Sequence, residues 1–216
     1  MEILVTGGSR GIGKELNEHY IRQNNTVTTI DSNVCDLSDW QTTSAYFSKQ
    51  GTANWDLVIH CAGVNLIKAF YKMEYSAFRK MVDTNLVGTF NLLKHVIPKL
   101  KCGGSIVLFS SAAAFLPTIG QSAYACCKSA LHGLVRVLAR ELLVEDKYIF
   151  LIAPGLVETG MPYHVMSETA LQAAVAALPM RRLCTIGEIV NAIDFACRTP
   201  YLTGQTIHLN GAYNII

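Results

Sequence analysis

Ile3-Leu4-Val5-Thr6-Gly7-Gly8-Ser9-Arg10-Gly11-Ile12-Gly13-Lys14 is the stretch whose reading decides the fold. An apolar run of strand length meets glycines spaced G-x-x-x-G-x-G, and these run into a helical pattern that starts at Ile12. Glycines permit a tight turn and let main-chain amides approach a pyrophosphate at the N-terminus of the following helix. By mechanism this is a dinucleotide-binding turn, although the commoner spacing is G-x-G-x-x-G. Gly8 to Lys14 also fits G-x-x-x-x-G-K, but Glu15 stands where a nucleoside-triphosphate loop needs Ser or Thr for magnesium. A purely structural turn is the remaining alternative.

Outward from this turn, short apolar runs alternate with longer helical patterns. The strands expected are Ile3–Thr6, Val27–Ile30, Leu57–Cys61, Ser105–Phe109, Tyr148–Ile152 and Thr206–Leu209. The helices expected are Ile12–Gln23, Ser38–Lys49, Tyr75–Lys99, Ala123–Leu143, Ser167–Ala177 and Ile186–Cys197. Such alternation specifies an α/β fold: one doubly wound, Rossmann-type parallel sheet of six to seven strands with helices on both faces. Crossovers are right-handed, and ligands bind beyond the carboxyl ends of the strands. No linker or repeat divides residues 1–216, so a single domain is expected.

Composition narrows the function. Of 216 residues, half are hydrophobic and only 16% are charged, against roughly 25% in an average soluble chain, which disfavours disorder. A formal charge of +2 with no block of like charge points away from nucleic acid and anionic membranes. No apolar run reaches the ~18 residues of a membrane span. The seven cysteines show no metal-ligand spacing, so the expectation is reduced thiols, a cytoplasmic protein, no metal and a small-molecule partner.

Asp31 follows the second strand, where a carboxylate can grip the ribose hydroxyls of a dinucleotide; a turn or cap aspartate is the plainer alternative. Tyr124 and Lys128 are four apart on an expected helix and therefore share a face. A nearby ammonium favours a phenolate, drawing a tyrosine down from its ordinary pKa of about 10 towards general acid–base use.

Thr6-Gly-Gly-Ser-Arg-Gly-Ile-Gly13, Cys61-Ala62-Gly63, Asn85, Ser110-Ser111, Tyr124-x-x-x-Lys128 and Pro154-Gly155 occur in the order of the short-chain dehydrogenase/reductase family. The chain resembles a compact member, most like the 3-oxoacyl-carrier-protein reductases, from Ile3 to Gly211. The resemblance implies an NAD(P)-dependent oxidoreductase that interconverts a ketone and a secondary alcohol by hydride transfer, with Tyr124 as general acid/base. It implies that Ser111 steadies the substrate oxygen, that Lys128 holds the nicotinamide ribose, and that Asn85 holds a water behind Lys128, a helix kink being the rival role for Asn85. Cofactor contacts are implied for Gly7, Ser9, Arg10, Gly11, Ile12, Gly13, Asp31, Asp36, Leu37, Cys61, Ala62, Gly63, Tyr124, Lys128, Pro154, Gly155, Val157 and Thr159. The family also implies a homodimer or homotetramer, in keeping with apolar residues beyond one stripe on Tyr75–Lys99 and Ala123–Leu143.

Two departures stand out. Cys61 occupies a position usually held by Asn. The segment between Ile30 and Asp36-Leu37 is short by a helix and most of a strand, which predicts a thin adenine-side edge to the sheet. Met161 to Pro179 resembles a substrate lid, with Met161, Tyr163, His164, Val165 and Met166 as an apolar lining carrying one polar group. On the cofactor, Arg10 is a feature associated with NADP, whereas Asp31 would repel a 2′-phosphate. At ~4 Å and an effective dielectric of ~20, each unit of like charge costs on the order of 4 kcal/mol, against about 1 kcal/mol or less for an exposed arginine pair. NAD(H) is therefore favoured over NADP(H). A non-enzymatic dinucleotide-sensing or scaffold protein on the same fold is the alternative function; epimerase or dehydratase chemistry would need a larger substrate domain.

Overall fold

The computed structural model describes residues 1–51, 53–116, 118–159 and 166–213. Its strands are β1 (Glu2–Thr6), β2 (Thr26–Ile30), β3 (Trp55–His60), β4 (Leu100–Phe109), β5 (Tyr148–Pro154) and β6 (Thr206–Leu209). The helices between them are α1 (Gly11–Arg22), α2 (Trp40–Lys49), α3 (Tyr75–Val82), α4 (Gly88–Val96), α5 (Ser122–Leu142), α6 (Glu168–Ala177) and α7 (Ile186–Arg198). The strands form one six-stranded sheet in the order β2-β1-β3-β4-β5-β6, and every pairing is parallel.

Each face of the sheet has its own core. Leu4, Val58, Ile106 and Leu151 pack under α2, α4 and α5 through Phe47, Leu92 and Leu131. Ile3, Val5, Ile59 and Phe150 pack under α1 and α7 through Leu16, Ile189 and Ile193. Because successive side chains of one strand enter opposite cores, the central strands read as continuous apolar runs.

Several boundaries differ from those expected, for local reasons. The single helix over Tyr75–Lys99 is broken at Asp83–Val87 by a π-turn and ends in a 3-10 turn, Ile97–Lys99, that contains Pro98. Helix α2 starts at Trp40 because Asp39, not Ser38, caps it by accepting from Thr42 N at 2.7 Å. Strand β4 begins at Leu100, which pairs with Trp55; the register then shifts before Leu57 meets Ser105. Gly103, at φ +77°, takes the left-handed bend within that irregular stretch.

The strand order reverses between β1 and β3, so the crevice beyond their carboxyl ends is the switch point at which such sheets bind ligands. β2 lies at the sheet edge. The short Ile30–Leu37 segment thus leaves β2 as the edge of the sheet, which has six strands.

Candidate active site

At the switch point the glycine turn closes against the end of β3. Gly7 has φ +69°, and a side chain there would come within 2.7 Å of Ala62 N; at Gly13 it would come within 2.3 Å of Gly7 O. Gly7 N donates to Ile30 O at 2.7 Å, pulling the turn over β2. Helix α1 then starts with no capping side chain on Arg10 and no acidic residue in its first turn. Amides and helix dipole are therefore presented to an anion, with bare backbone in front of them. Ser9 and Arg10 are exposed at the mouth, while Ile12 packs into the core beneath. This cradle fits a dinucleotide pyrophosphate: it admits no Cβ at Gly7 or Gly13, and its charge sense suits phosphate.

Cys61, Ala62 and Gly63 form the opposite lip. Burial pushes the Cys61 thiol up to about 12, with the Lys128 charge acting weakly the other way, so Cys61 is an unreactive neutral thiol. Gly63 leaves room beside Asn85 and Lys128: a side chain there would lie 2.8 Å from Asn85 Oδ1 and 3.7 Å from Lys128 Nζ.

Tyr124, Lys128 and Ser111 converge from α5 and the end of β4. Ser111 Oγ accepts from Ala113 N at 3.2 Å, which leaves its hydroxyl hydrogen for Tyr124, and the Ser111 bond favours the Tyr124 phenolate. Lys128 Nζ stands 5.7 Å from the centroid of the Tyr124 ring and donates to Phe109 O at 2.7 Å. The expected lowering of the Tyr124 pKa by Lys128 is not found. Burial dominates and pushes the phenol up to about 12, because the ammonium faces the ring and a main-chain carbonyl. Burial also lowers Lys128, from an ordinary 10.5 to about 8.

Asn85 lies buried in the π-turn. Its Oδ1 accepts from Val64 N at 3.0 Å, and its Nδ2 donates to Val64 O and to Met81 O, both at 2.9 Å. These bonds favour the kink-clamping role for its side chain. Asp31 is held by a local turn, with Oδ1 accepting from Asn33 N at 2.9 Å and Val34 N at 3.2 Å, which is the turn reading. Asp36 Oδ1 accepts from Ser38 N and Oγ, and Leu37 O accepts from Asn91 Nδ2.

Pro154 and Gly155 lie at the end of β5, where Gly155 N donates to Leu209 O at 2.9 Å. Val157 and Thr159 are buried just beyond, and Val157 bridges to Cys184. Met161, Tyr163, His164 and Val165 fall outside the described residues; Met166 and α6, capped by Ser167, lie within them. Three partners escaped the sequence reading: the Phe109 carbonyl, His60 and His132. Both histidines are buried, and His132 Nε2 lies 2.8 Å from Ser110 Oγ. The strand alternation that turns His60 away from Cys61 is the available signal for His60; nothing local marks the Phe109 carbonyl or His132. Among the described residues no group of three or more potential ligands could hold a metal, and no helix is long and apolar enough to cross a membrane.

A family model described as Enoyl-(Acyl carrier protein) reductase matches residues 4–214. The chain belongs to the short-chain dehydrogenase/reductase family. The 3-oxoacyl-[acyl-carrier-protein] reductase FabG of Aquifex aeolicus is 28% identical over 238 residues, covering 96% of this chain and 95% of the relative. A 3-oxoacyl-[acyl-carrier protein] reductase from Brucella melitensis, solved with bound NAD, superposes with a TM-score of 0.84 at 26% identity, covering 99% of this chain and 91% of that one. A small-chain dehydrogenase in complex with NADPH superposes with a TM-score of 0.89, also at 26% identity, over 99% of this chain and 98% of that one. As a family member the protein is an oxidoreductase, and its structural neighbours include both NAD and NADPH complexes.

Proposed function

We propose that this chain interconverts a ketone and a secondary alcohol in a single catalytic domain spanning residues 1–216. The observation that carries the reading is the meeting of Ser111, Tyr124 and Lys128 beside a glycine cradle that fits a dinucleotide. When bound there, the nicotinamide supplies or accepts the hydride. Ser111 holds the substrate oxygen, and Tyr124 gives or takes its proton. Lys128 holds the ribose and brings its charge to the phenol oxygen, offsetting the burial that raises the Tyr124 pKa. The cradle residues Gly7, Ser9, Gly11, Ile12 and Gly13, with Cys61, Ala62, Gly63, Asp36, Leu37, Pro154, Gly155, Val157 and Thr159, complete the cofactor site.

NAD(H) is favoured over NADP(H). Two backbone N–H groups hold the Asp31 carboxylate at the end of β2, which argues against its swinging aside for a 2′-phosphate. The substrate is a small carbonyl compound, without nucleic acid or membrane, in the cytoplasm. A homodimer or homotetramer is supported by Phe90 on α4 and Val137 on α5, which are 50% and 57% exposed.

The test is purified protein with NADH or NADPH and a panel of β-keto esters, diketones and quinones, followed by cofactor absorbance. Turnover supports the reading. Tight cofactor binding with no turnover across the panel would favour the dinucleotide-sensing scaffold instead.

A further inference from the structure

Beneath the lip formed by Cys61-Ala62-Gly63, a closed ring of hydrogen bonds joins four elements. Ala62 N donates to Thr6 Oγ1 at 3.4 Å, and Thr6 Oγ1 lies 2.6 Å from His60 Nδ1. His60 Nε2 lies 2.9 Å from Thr89 Oγ1, which in turn donates to Asn85 O at 2.9 Å. The Asn85 side chain closes the ring on Val64, two residues from Ala62. Thr6, His60, Asn85 and Thr89 are each no more than 3% exposed.

The donors fix the protonation of the imidazole. The one hydroxyl hydrogen of Thr89 goes to Asn85 O, so Thr89 must accept from His60 Nε2–H. His60 Nδ1 is then an acceptor and receives the Thr6 hydroxyl. The opposite tautomer would strand the Thr6 hydroxyl hydrogen and take Thr89 away from Asn85, leaving buried polar groups unsatisfied. An imidazolium would put a hydrogen on Nδ1 and strand the same Thr6 hydrogen; burial, aided by the Lys128 charge, holds the imidazole pKa down to about 3.

We propose that His60 is a positioning residue: neutral and protonated on Nε2, it ties Thr6, at the entry to the glycine turn, to the main chain of Asn85, and so holds the cofactor cradle and the π-turn in one frame. This rests on the reading of the site as an NAD(P) oxidoreductase. Thr6 immediately precedes Gly7, whose left-handed backbone sits against Ala62, and Asn85 borders Gly63 beside Lys128. A slip at either threonine therefore changes the spacing between the turn that takes the pyrophosphate and the segment beside the Lys128 ammonium. Buried networks of this kind specify geometry when every member is satisfied.

Glutamine at position 60 can accept from one threonine with its carbonyl and donate to the other with its amide; leucine can do neither. H60L is expected to raise the Kd for NADH about tenfold and H60Q by no more than about threefold, with T6V resembling H60L. T89V, which cuts the ring on the far side, is expected to lower kcat towards a β-keto ester about tenfold while the Kd for NADH changes less than threefold. Imidazole 15N shifts of the wild type are expected to report Nε2 protonation, and to move when NADH binds. The proposal is overturned if H60L and T6V bind NADH as the wild type does, if H60Q is as impaired as H60L, or if Nδ1 carries the proton. Should H60L fail to fold, T6V and the 15N spectrum decide. Should no substrate turn over while the binding and 15N results hold, only the proposed reaction fails; normal turnover with unmoved Kd and shifts sinks His60 alone.

Discussion

The two ends of the crevice are built differently. On the catalytic side, the bonds that fix geometry are buried or part-buried and bridge distant parts of the chain: Lys128 to Phe109, Asn85 to Val64, Thr6 to His60. On the adenine side, Asp31, Asp36 and Asp39 each bond to residues two or three positions on, in exposed turns. β5 is buried along nearly its whole length, whereas β2 reaches full burial only at Ile30. In the proposed reading the chemistry is thus held by the core, and the edge that would discriminate between cofactors by a short surface turn. Changes on the first side should alter rate or fold; changes on the second should alter preference at little cost to either.

The largest effect tests the catalytic side directly. Tyr124→Phe should lower kcat by about 10^3-fold, within the range for loss of a general acid, while the Kd for NADH, read by fluorescence titration, stays within about threefold. Retention of even a tenth of the activity would place the proton donor elsewhere.

Next comes Lys128, whose burial sets stability against function. Its pKa in the fold lies below the ordinary 10.5, at about 8. The cost to the fold is therefore absent above pH 10.5, grows as pH falls, and is complete below about pH 8, at roughly 1.4 kcal/mol per unit of displacement. Lys128→Met should lower kcat by about 10^2-fold. Its Tm relative to wild type should rise as pH is lowered from 9.5 to 8 and then level off, the gain being reduced by the Phe109 carbonyl left without Lys128. A Tm difference that does not change with pH would contradict the assignment.

On the adenine side, Asp31→Ala should move the ratio of kcat/KM for NADH over NADPH about tenfold towards NADPH, with Tm nearly unchanged. A wild type that already prefers NADPH would break the contrast in charge that favours NAD(H). The smallest effect expected is from Asp39→Ala, which removes the cap of α2: about 1 kcal/mol of stability by denaturant titration, with kcat unaltered.

The fold was legible because parallel strands buried on both faces leave uninterrupted apolar runs, and Ile3–Val5 and Ile149–Ile152 read as nothing else. Helical spacing puts Tyr124 and Lys128 on one face, but spacing alone fits an ordinary amphipathic helix, and it was the ordered motifs of the family resemblance that singled the pair out. What could not be read was how long-range bonds share out protons and charges. The sequence places Lys128 near Tyr124 but cannot say that its ammonium rests on Phe109 O. Likewise Asn85 could be marked as important, while the π-turn it clamps depends on Val64, twenty-one positions away. Asp31 remained double-edged because one carboxylate can serve a turn with one oxygen and a ligand with the other.

Helix α1 opens without a capping side chain, and this gives the protein a built-in reporter. First-turn amides with no capping side chain exchange their hydrogens with solvent readily, whereas amides holding an anion do not. Deuterium uptake over residues 9–13 should therefore slow as soon as the pyrophosphate seats, before any substrate is known. Occupancy of the cradle becomes measurable by mass spectrometry alone, and a screen of nucleotides could be ranked by the lag they impose on that one turn.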